Sequence, residues 1–193
     1  SAWRSAPMIW ASVKRLFFIG ISSSILPRKF YVRIPLTTGR ITILPNRWRS
    51  RDPGISTVGR LDKQTSGLLL LTDDGDLSHH ATSPKRRVKK SYRVKLARPL
   101  NGTEGDLFAS GNLMLENEEK PLAPAELEVV STTEALLSIT EGRYHQVRRM
   151  FASTGNRVEE LHRERLGGLT LPDDMVPGEW RLLEEEEISS ILQ

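Results

Sequence analysis

The chain has 193 residues, 38% hydrophobic and 27% charged, with a formal net charge of +4, which bounds it to one globular domain with room for a small appendage. It has no cysteine, so disulfides and thiolate metal sites are excluded, and its longest apolar stretch, "LFFIGISSSIL" at 16–26, is about half the ~20 residues of a membrane-spanning helix. Residues 1–51 carry ten basic residues and no acid, leaving 18 basic against 24 acidic residues in 52–193, a net of −6; any nucleic-acid site on the body must therefore be a local patch, not a uniformly basic coat.

In chain order, a basic leader comes first, over 1–54. Three readings of it stand: an organelle transit peptide, whose composition is rich in Arg and Ser and free of acid, an arm that touches RNA, or an erroneous gene boundary. After Asp52-Pro53-Gly54 the character changes, and a folded domain is predicted over 55–193. The four leucines at 68–71, bounded by Gly67 and a "DDGD" cluster, predict a strand buried on both faces. Asp74-Gly75 predicts a turn, and Asp76 is placed to cap a short helix "LSHHATS" that Pro84 ends.

Then "SYRVKLA" (91–97) alternates, with Tyr92, Val94 and Leu96 on one face, as a half-buried strand does. "AELEVVS" and "ALLSITE" predict a hairpin. In "GRYHQVRRMFASTG" (142–155) Val147, Met150 and Phe151 fall at helical spacing and Gly155 is placed as a stop. "RVEELHRERLGGLTL" predicts a strand, a Gly-Gly turn and another strand, and "EEEEISSIL" a terminal helix. Strands dominate and βαβ alternation is missing, so the fold class is α+β, with a mixed, largely antiparallel sheet flanked by few helices.

Cofactor chemistry finds no signature. "TDDGD" lacks the alternate ligands and closing Glu of a calcium loop. The four histidines lack zinc-ligand spacing, and no phosphate-binding or dinucleotide glycine pattern occurs. "KRRVKK" (85–90) puts Lys85, Arg86, Arg87, Lys89 and Lys90 in six residues. It is either a solvated loop or, in an otherwise acidic body, a phosphate-binding strip. Taken singly, Asp62 is an ordinary turn residue and Tyr92 a core tyrosine. Arg148 and Arg149 lie on the outer face of an amphipathic helix, about 100° apart, so one at most addresses a given site.

In combination these segments resemble the RsuA-like ribosomal RNA pseudouridine synthases. "GRLDKQTSGLLLLTDDGDL" is similar to that family's catalytic segment, "KSYRVKL" to its tyrosine strand, and "EGRYHQVRRMFASTGN" to its third motif. The ending "ELHRERLGGLTLPDDMVPGEW" is also similar, and within the family the wording of the third motif and of "LHRERLGG" most resembles the enzyme acting on small-subunit, 16S-type rRNA. The likeness spans roughly 55–193.

The resemblance implies a pseudouridine-synthase-like core and an isomerase of uridine in ribosomal RNA, needing no cofactor and no metal. It implies that Asp62 is the catalytic aspartate and Arg148 the basic residue paired with it. Tyr92 would stack on the flipped base, Arg60 would fill the space that base vacates, and Arg143 joins the basic run as an RNA contact.

The partner implied is ribosomal RNA or a subunit-assembly intermediate, met by a monomer with no membrane. The setting would be the cytoplasm in a bacterium, or a plastid or mitochondrion if the leader is a transit peptide. The family's usual Asn-Lys-Pro-x-Gly lead-in strand and small RNA-binding domain are not found in 1–54. A catalytically inactive rRNA-binding or ribosome-assembly protein of the same ancestry is therefore the alternative function.

Overall fold

The computed structural model describes residues 16–20 (backbone only), 56–72, 74–175, 181 and 183–191. The rest of the predicted leader lies outside the described residues. Strands β1 (Leu16–Gly20), β2 (Ser56–Val58) and β3 (Thr65–Thr72) come first, followed by helix α1 (Gly75–Thr82), a 3-10 turn (Pro84–Arg86) and β4 (Lys90–Leu96). Helix α2 (Glu104–Ala109), the hairpin β5 (Glu126–Ser131) and β6 (Glu134–Ile139), and α3 (Gln146–Ser153) lead to β7 (Val158–Leu166), β8 (Leu169–Thr170) and α4 (Glu185–Ile191).

One sheet runs in the order β1-β3-β7-β4-β6-β5, with β2 also on β3 and β8 on β7. The β3–β7 pair is parallel, Thr65 opposite Leu161, and the other pairs among the described residues are antiparallel. The class is α+β with a mixed, largely antiparallel sheet.

The central position of β3 follows from its composition. Its four leucines are at most 1% exposed, the pattern of a strand covered on both faces. Leu68 and Leu70 join Val58, Leu77, Ala81, Leu166, Leu169 and Ile191 in one core cluster. A second gathers Tyr92, Val94 and Leu96 of β4 with Leu137, Leu161 and the α3 residues Val147, Met150 and Phe151. There the Phe108 and Phe151 rings meet edge to face, centroids 5.3 Å apart.

Gly67 permits the parallel junction. Its φ is +105°, and a Cβ there would lie 2.2 Å from the Arg163 carbonyl oxygen.

Three local expectations change. The cap of α1 is Asp74, not Asp76: its side chain accepts from the backbone N–H groups of Asp76 and Leu77, so the helix begins at Gly75. Helix α2 is absent from the sequence reading because it carries no apolar periodicity. It is set by Glu104, whose buried carboxylate accepts from the N–H groups of Asn101 and Gly102. Finally, reading 1–54 as a leader without a strand misses β1, which runs antiparallel along β3 from Leu16 opposite Thr72 to Gly20 opposite Leu68.

Candidate active site

Asp62 sits where β2 hands over to β3. Gly59, at φ +73°, reverses the chain after β2 in a conformation that costs other residues strain. A tight turn follows, closed by the Thr65 N–H donating to the Asp62 carbonyl at 2.9 Å. The carboxylate is thereby delivered at the N-terminal end of the most buried strand, with its side chain 38% exposed.

Arg148 reaches this turn from α3, but by an unexpected route. Its Nη2 donates to the Gln64 carbonyl and its Nη1 to the Val158 carbonyl, both at 2.8 Å. No ion pair joins it to Asp62 among the described residues; the guanidinium clamps the backbone of the carboxylate's turn to the start of β7. Burial lowers its pKa, and the nearby Asp62 charge opposes that. Its Nε is buried without a partner, as is Thr65 Oγ1 on the same turn. Unpaired buried donors of this kind mark strain or a place for an absent partner.

Within ion-pair distance of the carboxylate stands His145, its Nε2 3.7 Å from Asp62 Oδ1. His145 is the N-terminal cap position of α3 and holds φ +47°, ψ +33°, a left-handed backbone that costs a residue with a Cβ about 1–2 kcal/mol. Gln146 fixes this entry, accepting from the Arg143 N–H and donating to Glu141. The Tyr144 ring lies on the imidazole, centroids 4.0 Å apart and planes 13° from parallel. Sequence reasoning passed over both residues. The histidine was weighed only for zinc spacing, and a left-handed cap leaves no trace in hydrophobic periodicity.

The remaining candidates divide. Tyr92 is buried in the β4 core cluster, opposite Arg163 and Leu137. Arg60 is exposed and makes no ion pair among the described residues. Arg143 is fully engaged, donating to Glu141, Glu118 and the carbonyls of Lys120 and Pro121; here it anchors the 116–121 loop. Arg149 turns the same way, to Glu118 and to the carbonyls of Tyr144 and Glu116, so the two adjacent arginines of α3 diverge as their helical offset requires.

In the basic run, Lys85, Arg86 and Arg87 are exposed. Lys89 pairs with Glu126 at 2.8 Å. The Lys90 ammonium donates to the Val88 carbonyl, and burial, then Arg163, lowers its pKa. Lys90 stands opposite Leu166 while Thr65 stands opposite Leu161, an offset of about 17 Å at ~3.3 Å per strand residue. The run therefore enters the sheet well away from Asp62. Among the described residues no group of His, Asp and Glu is placed to hold a metal ion, and no helix is long and apolar enough to cross a membrane.

The family model described as RNA pseudouridylate synthase matches residues 34–153, and the chain belongs to that family. It is 51% identical over 138 residues to ribosomal small subunit pseudouridine synthase A of Escherichia coli strain K12, covering 72% of this chain and 59% of the relative. With the protein of the same name from Vibrio cholerae it shares 54% over 134 residues, 69% of this chain and 58% of the relative. The chain thus spans somewhat under three fifths of the length of these curated relatives. A crystal structure described as a pseudouridylate synthase superposes with TM-score 0.77 at 34% identity, covering 94% of this chain and 75% of that one.

Proposed function

We propose that this chain converts a uridine of small-subunit, 16S-type ribosomal RNA to pseudouridine. In that reaction the C1′–N1 bond breaks, C1′ joins C5 of the same base, C5 loses its proton and N1 gains one. Atoms and electrons balance within the nucleotide, so the chemistry calls for neither metal nor redox cofactor. The observation that carries the reading is the Asp62 turn clamped by Arg148, in a chain whose motifs and fold belong to the pseudouridylate synthase family.

In this reading the Asp62 carboxylate reacts as nucleophile or base. Arg148 holds its turn through the Gln64 and Val158 carbonyls. Tyr92 supports the everted base from the sheet, and Arg60 occupies the space left in the stack, the eversion itself costing a few kcal/mol. The working unit is a monomer whose catalytic domain spans 55–193, acting on free RNA or on an assembling subunit, in the cytoplasm of a bacterial cell.

The test is pseudouridine formation by the purified chain on unmodified small-subunit rRNA. Wild type is expected to form product and Asp62→Asn none. Undiminished product from Asp62→Asn rejects the assignment. RNA binding without turnover by wild type supports instead the inactive assembly protein.

A further inference from the structure

Tyr144 is 75% exposed, the most open of the large apolar side chains among the described residues. Yet its ring is held in place. One face lies against the His145 imidazole, centroids 4.0 Å apart and 13° from parallel, and its carbonyl accepts from Arg149 Nη1 at 3.2 Å. His145 in turn takes a left-handed backbone, φ +47°, and sets its Nε2 3.7 Å from Asp62 Oδ1. The backbone strain is kept at a point where it aims a two-ring stack at the carboxylate, and strain of this kind clusters at functional sites.

We propose that the open face of Tyr144 is a stacking platform for an unpaired nucleobase of the RNA, a neighbour of the uridine that Asp62 addresses; the inference rests on the proposed RNA-modifying function. The His145 ring covers one face of Tyr144 and meets Asp62 at its Nε2 edge, and a base on the free face of Tyr144 is taken as a neighbour of the reacting one. A paired base inside a duplex presents no free face, so the occupant is single-stranded or splayed out, the form in which RNA bases are usually read. Arg60 and Lys63 flank Asp62 in the chain, are exposed, and have no ion pair among the described residues, leaving two cations for the phosphates on either side of the target. The order base, Tyr144, His145, Asp62 couples RNA seating to the reactive group through rings in contact.

The experiment titrates the full chain with an unmodified small-subunit rRNA fragment. 2-Aminopurine is placed in turn at the positions flanking the modified uridine, and fluorescence and pseudouridine formation are both read. Stacking on the ring quenches the probe at one flanking position. Tyr144→Ala is expected to lose that quench and to weaken RNA affinity about tenfold or more, within the range for one base stacked on an aromatic ring. Tyr144→Phe, which keeps the ring, restores the quench, and the melting temperature of both variants stays at the wild-type value because the ring is solvent-exposed.

Wild-type affinity and quench in Tyr144→Ala, with wild-type turnover intact, overturn the platform alone. A wild-type chain that makes no pseudouridine and binds no RNA overturns the functional reading and the platform with it.

Discussion

Asp62 owes its position to backbone geometry, and Arg148 acts on it through two carbonyls. A lysine at 148 presents one point of charge and cannot span Gln64 and Val158 as the planar guanidinium fork does. Losing one charge-assisted hydrogen bond costs about 1.5–3 kcal/mol, so Arg148→Lys is expected to lower the single-turnover rate by about 10- to 100-fold. An unchanged rate would remove the clamp from the mechanism.

That an aspartate turn and a distant arginine meet was legible in the motifs, although the direct ion pair expected between them is absent among the described residues. The route of the guanidinium was not, because nothing in a sequence says which carbonyl a side chain meets. His145 was hidden for a related reason, since its role depends on one backbone dihedral.

Acid response also belongs to single residues. His162 Nδ1 lies 2.8 Å from Ser66 Oγ. Burial lowers its pKa from 6.5, opposed by the charge of Glu164 and assisted by Arg93. The unfolded chain therefore binds the proton more readily, and the stability this residue contributes is complete above pH 6.5 and declines as pH falls below it. Burial raises the Glu104 pKa, but backbone N–H donors outweigh it and the group ends below 4.5. Its contribution is present above pH 4.5 and is lost as pH falls further. Melting temperature against pH is expected to show two stages, with His162→Gln flattening the upper and Glu104→Gln the lower; curves unmoved by either substitution would refute the assignment.

Among elements, β3 decides the architecture. The four leucines announced a strand covered on both faces, and the alternation of β4 and the hairpin were equally plain, because burial on one or both faces imposes a period on side chains. Short elements held by single contacts escaped. Helix α2 rests on one carboxylate, and β2 is three residues long, "STV". For β1, its apolar run "LFFIG" sits inside a segment whose charge drew attention away from strand character.

The parallel join of β3 to β7 depends on Gly67, where a methyl group would meet the Arg163 backbone at 2.2 to 2.8 Å. Gly67→Ala combines that overlap with a disfavoured φ, each worth about 1–3 kcal/mol. Urea unfolding is expected to show a loss of about 2–4 kcal/mol; a loss under about 0.5 kcal/mol, the level of an ordinary surface change, would contradict the packing described.

At the scale of the molecule, charge is divided between basic residues 1–51 and an acidic remainder, so under the proposed function attraction of RNA to that remainder rests on a few free cations. Composition alone located the run at 85–90, but the fold splits it. Lys89 is neutralised by Glu126 and Lys90 is turned inward to the Val88 carbonyl, leaving Lys85, Arg86 and Arg87 exposed on the turn before β4. Under the proposed function these three exposed cations suit the RNA backbone and not the reacting base.

Contacts to phosphate release counterions, with a slope of about 0.7 per contact for single strands and 0.9 for duplex. Replacing all three with Ala is expected to weaken binding to matched and mismatched RNA alike, and to reduce the slope of log affinity against log salt by about two to three. The rate at saturating RNA should hold, because Asp62, Arg148 and His145 are untouched. A slope equal to wild type would mean that the turn is merely solvated, and that the RNA is held by cations nearer the carboxylate, Arg60 and Lys63 first among them.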